Sequence, residues 1–137
     1  MQTFDVQGIE IHASPEQVFD FLRDPRNLPR WAQAFQVAGE ERARLETPRG
    51  VIDIGLRTLA DARTGTIDWR MQFPGDVVAL AQSRVTETTR GTCIYSFVLH
   101  APPVPLEEIE GALAVQRATL RQELATLKAI LEASEKR

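Results

Sequence analysis

The sequence contains few of the residues on which common catalytic and metal sites depend. Its single cysteine, Cys93, allows no disulfide within the chain, and the simplest expected location is therefore the cytoplasm. Its two histidines, His12 and His100, have no carboxylate or thiol near them at metal-ligand spacing. We therefore expect no metal site and no cofactor.

Excess positive charge and long apolar runs are also absent. The chain has 16 Lys and Arg against 19 Asp and Glu, which gives a formal net charge of −3. Because nucleic-acid binding needs a basic surface, we expect no nucleic-acid partner. No apolar run reaches the roughly 18 residues of a membrane span, and the first residues do not resemble a signal peptide. We expect one domain over residues 1–137.

The N-terminal part predicts a strand followed by two short helices. Residues 3–12 alternate apolar and polar side chains, and Gly8 shifts the phase, which indicates a β-bulge. The run Ser14-Pro15-Glu16-Gln17 is typical of a capped helix start. A second helix is predicted over residues 28–35, where two aromatic side chains lie one turn apart.

The central part predicts antiparallel strands joined by short turns. A strand begins at residue 37, and alternating runs follow at 43–47, 50–63, 66–73, 77–89 and 92–100. Strands that follow one another so closely favour a meander, because parallel pairing would need long crossover connections.

The C-terminal part predicts one long helix over residues 106–133. Its apolar stripe consists of Leu106, Ile109, Leu113, Leu120, Leu124, Leu127 and Leu131. At about 1.5 Å per residue, the helix is on the order of 40 Å long and can cross a whole sheet. The stripe is interrupted where the sequence has Gln116 and Arg117. The predicted fold class is α+β, with six to seven curved antiparallel strands around this helix.

Three segments of the sequence resemble a known family. They are IHASPEQVF at residues 11–19, DPRNLPRW at 24–31 and ELATLK at 123–128. With the order of elements, they resemble the START-like (SRPBCC) helix-grip superfamily, which includes the birch pollen allergen, lipid-transfer domains, polyketide cyclases and uncharacterised bacterial proteins. The resemblance implies seven strands and a cavity for an apolar ligand between the sheet and the long helix. It implies no particular reaction, because binders and enzymes share this scaffold.

Strand alternation selects the side chains expected to face the long helix. Trp69, Met71 and Phe73 share one strand face, and the same alternation turns both histidines outward. Large apolar residues in a row equally suit a packed core, but the interruption at Gln116 favours a cavity. The candidate ligand-binding residues are Trp31, Phe35, Thr58, Trp69, Met71, Phe73, Tyr95, Phe97, Gln116 and Leu120.

The strand at residues 77–89 permits two facings. In one, Val77, Ala79 and Ala81 face the helix, and these small residues leave room for a ligand. In the other, Arg84 faces inward and needs an anionic partner. The first is favoured, because burying an unpaired arginine costs several kcal/mol.

Three functions remain open from the sequence. The first is binding of a small apolar or aromatic molecule, such as a lipid, in the cavity. The second is a cyclase- or dehydratase-like reaction on a polyketide-like substrate there, with Tyr95 as the acid and Arg117 as an oxyanion partner. The third is an interaction role, in which the leucine stripe pairs two chains as a homodimer.

Overall fold

Seven antiparallel strands form one curved sheet in the computed structural model, which describes residues 2–102 and 109–135. They are β1 (Phe4–Ile11), β2 (Phe35–Ala38), β3 (Arg42–Thr47), β4 (Gly50–Asp61), β5 (Thr66–Phe73), β6 (Val77–Glu87) and β7 (Cys93–His100). Their order is β1-β7-β6-β5-β4-β3-β2, so six consecutive strands form a meander and β1 pairs with the last of them. This arrangement confirms the predicted α+β helix-grip fold.

Two helices follow β1, and one long helix follows the sheet. They are α1 (Pro15–Leu22), α2 (Leu28–Trp31) and α3 (Ile109–Glu135), and a 3-10 turn at Pro25–Asn27 lies between the first two. The hydroxyl of Ser14 caps α1 by accepting a hydrogen bond from the amide of Gln17 at 3.2 Å. Leu106, predicted to begin the long helix, lies outside the described residues. No helix among those described is long and apolar enough to cross a membrane.

The second helix is shorter than the predicted 28–35. Ala32 leaves helical geometry at φ −97° and ψ 107°, which ends α2. Phe35 is therefore the first residue of β2 rather than part of a helix. The prediction rested on the spacing of Trp31 and Phe35. Both side chains still lie in the same region, because the chain turns between them.

The β-bulge predicted at Gly8 is wrong. The pairing of β1 with β7 is unbroken from Phe4 opposite His100 to Ile11 opposite Cys93. Phe4 and Val6 consequently face outward, with 52% and 57% of their surface exposed. The polar residues Asp5 and Gln7, which alternate with them, face α3, where the side chain of Gln7 donates to the carbonyl of Arg117 at 2.9 Å.

The core lies between the concave face of the sheet and α3. The leucine stripe is buried at Leu113, Leu120, Leu124, Leu127 and Leu131. Burying such a side chain typically contributes about 1.5–3 kcal/mol, so the helix supplies much of the stability. On β6, Ser83 and Val85 are buried whereas Arg84 is exposed. The favoured facing of this strand is therefore confirmed.

Candidate functional site

A cavity of about 610 Å³ lies between the sheet and α3. It is lined by Leu28, Trp31, Ala32, Ala34, Phe35, Leu45, Trp69, Met71, Phe73, Val78, Ala79, Leu80, Ala81, Phe97, Val98, Leu99, His100, Ala101, Pro102, Gln116, Thr119, Leu120 and Glu123. Its walls therefore come mainly from the adjacent strands β5, β6 and β7, with Leu45 of β3, from the segment around α2, and from one face of α3.

The cavity opens at the end of the sheet where β6 and β7 separate. Hydrogen-bonded pairing of these strands begins at Ala81 opposite Leu99. Beyond that pair, the exposed residues Leu80 and His100 lie at the rim, and Gln116 of α3 is exposed there as well. Within residues 2–102 and 109–135, the cavity is thus an open pocket.

The cavity exists because large side chains on β5 lie beside small ones on β6. Trp69 pairs with Ala81, and Met71 pairs with Ala79. Protein interiors are normally filled to the density of organic crystals, so alanines opposite a tryptophan and a methionine leave volume that no other side chain of the described residues fills. The alternation on β5 aims both large residues at this space.

An aromatic cluster forms the floor of the cavity. The ring centroids of Trp31 and Trp69 are 6.2 Å apart, and the ring of Trp69 stacks on that of Phe97 at 6.2 Å. Both tryptophans of the chain belong to this cluster and line the cavity. Ring pairs at this separation stabilise the wall by about 0.5–1.5 kcal/mol beyond area burial.

Eight of the candidate residues line this cavity, namely Trp31, Phe35, Trp69, Met71, Phe73, Phe97, Gln116 and Leu120. Tyr95 does not, because it is fully buried beneath the cluster, in edge contact with the rings of Trp31 and Phe97. Its hydroxyl has no hydrogen-bond partner among the described residues. Burial raises the pKa of Tyr95 well above its ordinary value, so its hydroxyl is a poor proton donor.

Thr58 also lies away from the cavity. It is directly opposite Trp69 in the sheet, but only the tryptophan reaches the cavity. Thr58 instead borders a separate surface pocket of about 410 Å³, beside Arg23 and Arg57. Alternation therefore predicted the correct sheet face for Thr58 but not its distance from the cavity.

The predicted acid and oxyanion partner do not meet at the cavity. Arg117 does not line it, since its guanidinium forms an ion pair with Asp5 on β1 at 3.4 Å. Gln116, where the interrupted stripe favoured a cavity, does reach the cavity and lies at its exposed rim. The interruption of the stripe thus places Gln116 at the cavity mouth and Arg117 beside Asp5 of β1.

Glu123 of α3 is a cavity residue that the sequence reasoning missed. One carboxylate oxygen accepts a hydrogen bond from the backbone amide of Gln33 at 2.6 Å. Burial raises the pKa of Glu123 above its ordinary value, although the hydrogen bond from Gln33 opposes that shift. Helical spacing was a usable signal, because Glu123 lies seven residues after Gln116 and three after Leu120, on the same helix face.

The titratable side chains that line the cavity in the described part of the chain are His100 and Glu123. The imidazole of His100 is exposed and lies 2.8 Å from the side-chain oxygen of Gln82. Among residues 2–102 and 109–135, no group of His, Cys, Asp and Glu side chains is arranged to hold a metal ion. The chemistry available at the cavity is therefore apolar contact with a small number of polar side chains.

Comparison with known proteins gives one family match and many structural matches. A family model described as "Polyketide cyclase / dehydrase and lipid transport" matches residues 1–132. A START superfamily protein from Mycobacterium smegmatis superposes with a TM-score of 0.73 at 13% identity, over 96% of this chain and 99% of its own. The protein XoxI from Bacillus cereus gives 0.69 at 17% identity, over 95% and 96%.

A third similar structure is the di-domain ARO/CYC protein BexL from the BE-7585A biosynthetic pathway. It has a TM-score of 0.66 and 18% identity, over 93% of this chain and 46% of its own. At such identities the likeness shows a shared fold. No curated protein matches this chain.

Proposed function

Because the chain belongs to the polyketide cyclase/dehydrase and lipid transport family, we propose that it binds a small apolar or aromatic molecule in the cavity between the sheet and α3. The observation that carries the proposal is the cavity itself, with its volume of about 610 Å³ and its largely apolar lining. Small-molecule sites typically measure about 300–1,000 Å³ and combine apolar walls with a few polar groups.

The wall chemistry favours a ligand with a flat aromatic part. Trp31, Trp69 and Phe97 present ring surface on one side, and Met71 adds an adaptable thioether beside them. Each Å² of apolar surface that such a ligand removes from water contributes about 25 cal/mol. A drug-sized ring system therefore has enough contact area for useful affinity without any covalent step.

A second candidate function is a cyclase- or dehydratase-like reaction on a polyketide-like substrate in the same cavity. The observation that favours it is the carboxyl group of Glu123, which lines the cavity and has a pKa raised by burial. Acid–base groups in enzymes commonly have pKa values shifted in this way. The ARO/CYC protein BexL shares this fold.

A titration with a neutral aromatic probe tests the proposal. N-phenyl-1-naphthylamine emits strongly only in apolar surroundings, so we expect a saturable rise in its emission at one equivalent of protein. Quenching of the two tryptophans, both of which line the cavity, should follow the same isotherm. Failure of this probe and of naphthalene itself to bind saturably would contradict the proposal.

Mass spectrometry of the gently purified protein distinguishes the two candidates. A binding protein should retain a recurring apolar molecule from its cells, released unchanged on denaturation. An enzyme should instead convert an added polyketide-like substrate to a product of altered mass, and Glu123→Gln should slow that conversion.

A further inference from the structure

The polar side chains that line the cavity from α3 form one stripe. Gln116, Thr119 and Glu123 are spaced by three and four residues, which places them on a single face of the helix. The opposite wall is apolar, with Trp69 and Phe97 at its centre. A ligand in the cavity therefore meets rings on the sheet side and hydrogen-bonding groups on the helix side.

The charge of this stripe is negative and is not neutralised within the described structure. Among residues 2–102 and 109–135, no lysine or arginine lines the cavity, and Glu123 forms no ion pair. One oxygen of its carboxylate is occupied by the Gln33 amide, and the other has no donor from these residues. Burial raises the pKa of Glu123, and no cation among these residues compensates for the lost solvation.

Another glutamate on the same helix shows what a purely structural role looks like. Glu132 also accepts a hydrogen bond from a backbone amide, that of His12 at 2.8 Å. Its carboxylate, however, is paired with the ammonium of Lys128 at 2.7 Å and does not line the cavity. Two glutamates thus tie loops to α3, but the one at the cavity has no such cation within the described part of the chain.

We propose that Glu123 determines the specificity of the cavity, and that the ligand is an aromatic molecule without negative charge whose hydroxyl or amino group donates a hydrogen bond to the carboxylate of Glu123. This inference rests on the proposed binding function and adds the chemical class of the ligand. Aromatic acids bind more weakly, because their carboxylates meet that of Glu123 in surroundings of low dielectric constant. Aromatic compounds without a polar group bind, but they leave the carboxylate without its donor.

Equilibrium dialysis with four matched naphthalenes tests this proposal at pH 7. The probes are naphthalene, 2-naphthol, 2-naphthylamine and 2-naphthoate, which share one ring system and differ in a single group. In the unaltered protein, 2-naphthol and 2-naphthylamine should bind about tenfold or more tightly than naphthalene, as expected for a hydrogen bond to a charged acceptor. The anion 2-naphthoate should bind more weakly than naphthalene.

Substitution at Glu123 then tests whether this residue causes the ranking of the four probes. In Glu123→Gln, the amide oxygen keeps the Gln33 hydrogen bond and the amide NH₂ faces the ligand, so the acceptor becomes a donor. The advantage of 2-naphthol should fall to within about threefold, 2-naphthoate should gain about tenfold, and naphthalene should be unchanged. Glu132→Gln, the matched control, should leave the order of the four probes as it was.

The outcomes separate the two proposals. Equal binding of 2-naphthol, naphthalene and 2-naphthoate to the unaltered protein would overturn the role of Glu123 and leave the binding function in place. No binding of any probe would overturn both. The ranking in the unaltered protein needs no variant, so the test holds even if Glu123→Gln fails to fold, which circular dichroism would reveal.

Discussion

The guanidinium of Arg117 lies 3.4 Å from the carboxylate of Asp5, at the point where the leucine stripe of α3 is interrupted. The two residues are far apart in the sequence, and the contact joins the first strand to the last helix. Asp5 is 17% exposed and Arg117 is 36% exposed, so the pair is partly withdrawn from water. Its position explains why polar residues of β1 face the interior without disrupting the sheet.

Removing this pair should destabilise the protein more than removing a surface pair. Asp5→Ala leaves a partly buried arginine unpaired, and we expect a loss of about 1–3 kcal/mol in the free energy of unfolding. The control is Asp53→Ala, which breaks the exposed pair with Arg44 at 3.1 Å and should cost less than about 1 kcal/mol. Urea denaturation measures both, and equal losses would contradict the structural importance of the Asp5 contact.

Filling the cavity should abolish ligand binding with little effect on folding. Met71→Trp places extra volume beside Ala79, where the cavity provides room, so the free energy of unfolding should change by less than about 1 kcal/mol. The same enlargement in a filled core typically costs about 1–3 kcal/mol. Affinity for N-phenyl-1-naphthylamine should fall at least tenfold. Arg70→Trp, on the exposed face of the same strand, should keep both affinity and stability.

Glu123 and Glu132 should give opposite pH dependences of stability. The pKa of Glu123 is raised by burial, so the folded state binds more protons than the unfolded state above the ordinary value of 4.5, and stability falls as pH rises through that window. The pKa of Glu132 is lowered, chiefly by its hydrogen bond from Lys128, so its contribution is present above the ordinary value and is lost as pH falls.

Urea titrations of Glu123→Gln and Glu132→Gln at about pH 4 and pH 7 measure these differences. As pH rises, the free energy of unfolding of Glu123→Gln should increase relative to that of the unaltered protein. The free energy of unfolding of Glu132→Gln should decrease relative to it. A change of the same sign for both variants would contradict the contrast between an unpaired and a paired carboxylate.

Cys93 should resist alkylation until the protein opens. The side chain is fully buried on β7, and burial, with a smaller effect of Glu10, raises the pKa of its thiol to about 11. Because the thiolate is the reactive form, iodoacetamide should modify the native protein slowly and should modify it quickly in urea. Cys93 pairs with Ile11 of β1, so its reactivity also reports detachment of that strand. Rapid modification under native conditions would contradict this prediction.

The leucine stripe should be indispensable to the fold. Leu127 is fully buried, and Leu127→Ala should lower the free energy of unfolding by about 2–5 kcal/mol. Against a typical total of about 5–15 kcal/mol, this loss should lower the melting temperature markedly. Val115, on the same helix, is 67% exposed, and Val115→Ala should be close to neutral. Thermal melting followed by circular dichroism compares the two variants.

The sequence predicted the elements that local patterns determine. Alternation on β5 and β7 correctly turned Trp69 and Phe97 toward the helix, and the helix start at Ser14 is capped as expected. The prediction from alternation failed at β1, where the facing of Asp5 and Gln7 depends on a partner from α3. No local pattern contains that partner. Alternation alone therefore places the polar residues of β1 on the outer face, and a bulge at Gly8 is then required to turn the later apolar residues inward.

The candidate site was predictable in part, for a related reason. Alternation tells which face of a sheet a residue occupies, but not how deep it lies. Tyr95 faces inward as predicted, yet it is covered by the ring cluster and does not reach the cavity. Glu123 was missed because charged residues on a helix are usually solvent-exposed, whereas here the turn at Gln33 covers it.

The pairing of β1 with β7 also determines when the sheet can finish folding during synthesis. Phe4 lies opposite His100, and Lys128 of α3 donates to the carbonyl of Glu10 at 2.7 Å, so the first strand depends on partners that are translated much later. Closing such long loops is entropically expensive and slow. A growing chain therefore carries β1 without its neighbour, and once β7 has emerged the meander still lacks the helix that covers its apolar face. A ribosome that stalls before residue 109 should release an aggregation-prone fragment rather than a smaller working domain.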